Sequence, residues 1–371
     1  MKLSYWEYDT WFNQPDFCII GSGIVGLSAA YYLRIKYPKA KIIVLEKGFL
    51  PAGASTKNAG FACFGSISEL IADRNNMSEN EIFSLIEKRW KGLLNLRKLL
   101  GDDNLQYENS GGFELFKNDE KELFERCAAE INYFNASLKN IIGTEVYSLV
   151  NNTQQFNAFS KLIKNNYEGQ INTGKMMLSL LNICRSHNID VLNGVDVKKV
   201  YATNNSVEIE INENIFITAK TAIIATNGFA QKMFPQLDVK PARAQVLITE
   251  IIENLHFSGT YHYDAGYYYF RNVGNRILLG GGRNIDFNSE TTEEINITEK
   301  IQNALDKMLY EIILPGKRVN IEKRWAGIMG VGAKKYPIID EIEKNVWVAV
   351  RMGGMGVAIG SMVGKEVAEK I

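Results

Sequence analysis

The 371-residue chain is 46% hydrophobic and 23% charged, an ordinary globular balance with length for two domains or one large discontinuous one. Its 42 basic and 42 acidic residues cancel, so no global positive field exists to attract nucleic acid, and general nucleic-acid binding is not expected. No stretch of 18 apolar residues occurs, so no membrane span is expected, and the start lacks the continuous apolar core of a signal peptide.

Four cysteines, Cys18, Cys63, Cys127 and Cys184, show no C-x-x-C spacing and read as reduced thiols of a cytoplasmic protein. The three histidines, His187, His256 and His262, are thin material for a zinc site or a Ser-His-Asp triad, and no metal is expected.

In chain order, the aromatic leader (Tyr5, Trp6, Tyr8, Trp11, Phe12) reads as packing on the body of the protein. Phe17 to Ile20 is a short apolar run typical of a buried parallel strand. Gly21, Gly23 and Gly26 then open a helix: the first for a tight turn, the second for backbone approach to a pyrophosphate, the third for close packing of helix on strand. The helix N-terminus offers unpaired N–H groups and partial positive charge to phosphates. Ile42 to Leu45 is the second strand, with Glu46 at its end, where a carboxylate can accept from both ribose hydroxyls of an adenosine. The whole unit points to a bound dinucleotide. The next stretch, 48 to 65, is small, polar and glycine-rich instead of the next β-α unit of a nicotinamide dehydrogenase, and reads as an ordered loop wrapping a second part of a large cofactor.

Residues 79 to 100 form an amphipathic helix and a second runs near 119 to 139, with a turn and strand at Gly111 to Phe116 between them. Further on come a helix from Met176 to Cys184, a strand from Ile189 to Leu192, a hairpin of Val207–Ile211 and Ile215–Ala219, and a buried strand from Thr221 that breaks at Gly228. Residues 240 to 283 are strand-rich, including Val246 to Thr249, Tyr267 to Arg271 and Arg276 to Arg283, with a turn at Gly274 and Asn275. A helix is expected from about Glu293 to Leu309. The chain closes with a strand, Val346 to Val350, a glycine turn and a helix to Ile371. The α/β pattern breaks near 75, resumes near 145, breaks near 236 and resumes near 325. This implies two interleaved domains: 1–75, 145–235 and 325–371 in one, 76–144 and 236–324 in the other.

These residues resemble the D-amino-acid-oxidase-like FAD oxidoreductases, a family that includes glycine oxidases, sarcosine oxidases, γ-glutamylputrescine oxidoreductases and the oxidase half of a bifunctional tRNA-modifying enzyme. The resemblance rests on the fingerprint from Gly21 to Glu46, on Gly53 to Gly60 (similar to a G-A-S-x-x-N-x-G loop), on Pro241 to Gln245 (similar to P-x-R-G-Q, with Ala244 for the usual glycine), and on the C-terminal glycine turn and helix. Arg324 to Gly327 looks most like the γ-glutamylputrescine oxidoreductase branch. The resemblance implies an α/β (α+β) fold in which a Rossmann-like FAD-binding domain, the first set of segments, interleaves with a mixed-sheet substrate domain. It implies FAD held by Gly21, Gly23, Ile24, Val25, Gly26, Glu46, Lys47, Ala54, Ser55, Asn58, Ala59, Gly60, Val197, Ala225, Thr226, Gly228, Gly353, Gly354, Met355, Gly356 and Val357. Since no cysteine follows Cys184, where sarcosine oxidases carry their flavin-linking cysteine, FAD is expected to be noncovalent. If the C-terminal helix starts at the flavin edge, its dipole favours reduction.

The implied chemistry is oxidation of the C–N bond of an amine or amino acid by hydride transfer to the flavin, with O2 or another acceptor reoxidising it; little acid-base help is needed if the amine binds unprotonated. A substrate carboxylate would be clamped by an arginine, with Arg324 favoured over Arg271 and Arg351. Tyr267 and Tyr269 share a strand face that would line the substrate cavity, and Tyr268 takes the other. Cys63 near the flavin loop reads chiefly as a small buried thiol. Oxidation of a 2-hydroxy acid on the same scaffold and a flavoprotein subunit in RNA modification are the alternative functions; a homo-oligomer is possible.

Overall fold

A computed structural model describes residues 3–212 and 215–371. The fingerprint unit forms as its sequence dictates. Phe17–Ile20 and Ile42–Glu46 are fully buried parallel neighbours, joined by the Ile24–Lys36 helix. They sit inside a six-stranded sheet that runs Ile338–Glu343, Val346–Val350, Thr221–Ile224, Phe17–Ile20, Ile42–Glu46, Asp190–Asn193. All neighbours pair in parallel except the edge hairpin at Ile338–Val350. Ile19, Val44 and Ile223 look to the side carrying the Ile24–Lys36 helix, and Cys18, Ile20, Ile43 and Ile224 to the other, where the Val197–Ala202, Val207–Ile211 and Ile215–Ala219 strands form a small antiparallel sheet.

The C-terminal helix, Gly356–Lys370, lies against the Ile24–Lys36 helix and the Glu79–Leu100 helix. Two glycines set that closeness. A Cβ on Gly364 would lie 2.6 Å from the carbonyl oxygen of Val25, and one on Gly92 would lie 2.1 Å from that of Ala358. The second helix is closed at its start by a Ser78–Glu81 capping box.

An eight-stranded mixed sheet makes the other half: Ile321–Val331, Lys240–Thr249, Arg276–Gly281, Tyr268–Val273, Thr260–Tyr263, Gly112–Leu115, Lys161–Asn165, Tyr147–Asn151. Side chains alternate across its faces. One cross-strand row, Phe113, Tyr261, Phe270, Leu279, Leu247 and Arg324, points to the back. There the Glu299–Met308 helix closes a core around Tyr261 and Phe270, whose rings stack at 4.8 Å. The next row, Glu114, His262, Tyr269, Gly280, Val246 and Trp325, points to the front, toward the six-stranded sheet.

Three expectations are corrected. Residues 147–165, assigned by pattern to the first domain, supply two strands of the eight-stranded sheet, because their partner is the Gly112–Leu115 strand. The helix expected from Glu293 starts at Glu299, since the Thr298 N–H is taken by Gln245 Oε1 and the preceding segment is pinned by buried Glu290, which pairs with Arg243. The aromatic leader forms a short capped turn in which only Phe12 is buried; Tyr5 is 68% and Trp6 73% exposed.

Candidate active site

The carboxyl ends of the central parallel strands open into a cavity of about 1080 Å³ that extends to the front face of the eight-stranded sheet. Gly21, with φ +102°, turns the chain sharply at the end of the first strand, and Gly23, Ile24 and Val25 line the cavity at the start of the helix. Glu46 also lines it, but both of its oxygens are engaged. Oε2 accepts from Ser22 N and Oγ at 3.0 and 2.7 Å, and Oε1 from the N–H groups of Gly48 and Ala52 at 3.0 and 3.3 Å. A ribose hydroxyl would therefore replace one of these donors, the Ala52 contact being the longest. Lys47 and Val197 complete this end.

The glycine-rich loop wraps the middle of the cavity with Ala54, Ser55, Asn58, Ala59 and Gly60. It is held from both sides. Ser55 Oγ accepts the Ile24 N–H at 3.1 Å, and Asn58 donates to the carbonyls of Ala54 and Ser55 while accepting from Gly60 N at 2.8 Å. From the eight-stranded sheet, Arg271 Nε donates to Ala59 O at 2.5 Å and Trp325 Nε1 to Lys57 O at 2.9 Å. Ala225 and Thr226 line the same stretch, and Thr226 Oγ1 is buried with no partner among the described residues. The helix that begins at Gly356 has no side-chain cap, and Gly353, Gly354, Met355, Gly356 and Val357 all face the cavity. An uncapped helix start, a partnerless buried hydroxyl and a backbone-lined groove fit a large anionic dinucleotide.

The far end is built of side chains. Tyr267 and Tyr269 both reach it, and Tyr268 turns back toward Tyr263. Gly280 leaves room for the Tyr269 ring, which a Cβ there would meet at 2.5 Å, and burial pushes the Tyr269 phenol up to about 12. Phe61 packs edge-on against Tyr269 and His262. Glu69 from the Ile67–Asp73 helix, His262 and Arg283 complete the wall.

Three expected site residues lie elsewhere. Arg324 is in the back row, where it donates to both oxygens of Asp306 at 2.8 and 3.0 Å and to Gln302 at 2.7 Å. Gly26 and Gly228 are packing positions: a Cβ would come within 1.9 Å of Gly21 O in the first case and 2.3 Å of Met329 O in the second. The other two candidate arginines are also committed. All three donor groups of Arg271 are spent on carbonyls, of Ala59, Ile171 and Asn272, and Arg351 pairs with Asp238. Arg283 was not singled out by the sequence. It lines the cavity over the Phe287 ring, and among the described residues its buried Nε has no acceptor and no carboxylate pairs with it. The run of glycines just before it was the available signal. Cys63 lines the cavity too, but burial and the carboxylates of Glu168 and Glu69 push its thiol well up, which makes it a poor nucleophile. All four cysteines are free, and no helix among the described residues is long and apolar enough to cross a membrane.

Comparison with known proteins agrees with this fold. The chain is 24% identical to a probable oxidoreductase, OrdL, of Haemophilus influenzae, over 98% of this chain and 84% of that protein. It is 22% identical to the gamma-glutamylputrescine oxidoreductase of Escherichia coli, over 95% and 83%. Among solved structures, glycine oxidase from Geobacillus kaustophilus superposes with a TM-score of 0.76 at 16% identity, covering 96% of this chain and 95% of that one. The family described as FAD dependent oxidoreductase, DAO, matches residues 16–370, and so the dinucleotide that this cavity fits is FAD and the chain belongs to the DAO family of FAD-dependent oxidoreductases.

Proposed function

We propose that this enzyme oxidises the C–N bond of an amine or amino acid that carries a carboxylate. The six-stranded sheet with its helices is the cofactor-binding part, and the eight-stranded sheet supplies the substrate wall. The supporting observation is that one cavity runs from the fingerprint turn, past the uncapped helix at Gly356, to an unpaired arginine flanked by tyrosines. Bound FAD supplies the hydride acceptor. Arg283 takes the substrate carboxylate as a bidentate pair, a geometry that a lone lysine would not hold. Tyr267 and Tyr269 frame the carbon chain, and Tyr269, held neutral, donates its hydroxyl. The likeness to proteins named for glycine and for gamma-glutamylputrescine supports the same substrate class.

The test is a visible spectrum of the flavin-loaded protein under anaerobic conditions, before and after addition of amino acids and secondary amines. Bleaching by a carboxylate-bearing amine, and none by the corresponding hydroxy acid, is the expected result. Bleaching by the hydroxy acid alone would overturn the reading.

A further inference from the structure

At the substrate end, the front row of the eight-stranded sheet places His262 opposite Tyr269 on one side and Glu114 on the other. Its Nε2 lies 2.5 Å from Glu168 Oε1, which also accepts from Thr260 Oγ1 at 2.9 Å. Glu168 comes from the loop after the Lys161–Asn165 strand and is 1% exposed. A glycine at position 112 makes its place, since a Cβ there would come within 2.3 Å of the carboxyl group. The other ring nitrogen, Nδ1, has no partner among the described residues, and the ring lines the cavity. A void of about 10 Å³, the size of one water, is bordered by His262, Glu168, Glu114 and Asn165, whose buried Nδ2 has no partner among the described residues.

Building on the amine-oxidation reading above, we propose that His262, oriented by Glu168, is the base that removes the proton from the substrate ammonium before hydride leaves the adjacent carbon. In the acting form the imidazole is neutral. Its Nε2–H donates to Glu168, which fixes the tautomer and leaves the Nδ1 lone pair free on a ring that lines the cavity. The ammonium N–H bond breaks, the proton joins Nδ1, and the positive charge passes to an imidazolium paired with Glu168. The nitrogen lone pair so freed is what hydride loss from the neighbouring C–H requires; bound flavin would accept that hydride, and the substrate would leave as an iminium ion. No further oxidant is needed.

The surroundings suit that task. Burial pulls the imidazole down, and Glu168, Glu69 and Glu114 more than reverse it, raising it to about 9. This matches aliphatic ammonium groups, at about 8 to 10, so the transfer is close to balanced. From the other elements packed around the ring, Glu69 stays ionised through His262 itself, Lys335 and the Ser66 N–H, whereas burial raises Glu114. Cys63, Glu168 and His262 hold their ligand atoms within 4.8 Å of one another, but Nε2 and Oε1 are closer than two ligands of one tetrahedral zinc, about 3.3 Å apart. The contact is an acid-base pair.

The experiment is the pH dependence of anaerobic flavin bleaching in the holoenzyme, for wild type, His262→Gln and Glu168→Gln. Wild type should rise with pH through an inflection near 9. H262Q should bleach about 100-fold slower at pH 8 and recover with rising pH only as the substrate deprotonates in solution, so that its inflection follows the amine's own pKa from one substrate to the next, whereas that of the wild type stays near 9. E168Q should keep an inflection but move it down by at least about one pH unit. A merely structural role would slow H262Q equally at every pH. A wild-type inflection that E168Q leaves in place overturns the proposal even if H262Q fails to fold. Bleaching with unchanged profiles overturns the base alone, whereas a wild type that no amine bleaches overturns the amine reading and the base with it.

Discussion

The two ends of the cavity are made from different materials. At the end by the fingerprint turn the lining is largely backbone: glycine turns, N–H groups at two helix starts, and a loop stapled by its own Asn58. At the end proposed for the substrate the lining is side chains brought together from distant segments, such as His262 and its partner Glu168, 94 residues apart in sequence. A backbone-built site is written locally and tolerates no added bulk. A side-chain site is written by register and can change specificity without refolding.

The largest expected effect breaks the first end. Gly26→Val places a branched side chain where Gly21 O stands 1.9 Å from a Cβ, and neither backbone can yield. The cost should reach or exceed the ~3 kcal/mol of ordinary overpacking, and the purified protein should lack flavin absorption; a yellow, stable G26V would show that the turn is not held by this packing. At the other end, Arg283→Met should raise KM for a carboxylate-bearing substrate about 10- to 100-fold and leave the amine lacking that carboxylate unaffected. Arg324→Met supplies the contrast. It removes a partly exposed pair with Asp306 on the back of the sheet, so it should cost roughly 1 kcal/mol of stability with KM unchanged. A KM effect from R324M and none from R283M would exchange their roles.

A further effect is on stability against pH. His262 titrates near 9 in the fold and near 6.5 when unfolded. The folded state therefore holds an extra proton between these values. Its contribution is whole below pH 6.5 and is lost as pH rises through 9. The melting temperature should fall by a few degrees over that range, and by less in E168Q; a melting temperature that rises over the same interval would contradict the pairing.

The same contrast explains what could be read from the sequence. Glu46 and the three glycines of the fingerprint stand in one βαβ unit, so spacing alone brought them together. Arg324 was misplaced because alternation along a strand separates two faces without telling which one looks at the site. Only the pairing Leu247 with Arg324, in the row of Tyr261 and Phe270, settles that. Residues 147–165 carry an α/β-like pattern, but their pairing is decided by a strand more than thirty positions earlier, Gly112–Leu115. Arg283 could have been suspected from the glycines at 280 to 282, which leave room for the Tyr269 ring, the Tyr267 backbone and the Tyr268 ring in turn.

Arg271 carries a wider consequence. Rooted in the eight-stranded sheet, it grips the Ala59 carbonyl of the cofactor loop and, through Ile171, the chain that leads into the Thr173–Ser186 helix. On the proposed assignment of loop and sheet, loading of FAD and ordering of the substrate wall would be thermodynamically linked. Ligand that stabilises the loop also stabilises the sheet, so holoprotein should melt in one cooperative step, and cofactor loss should loosen substrate recognition at a distance from any atom the cofactor touches.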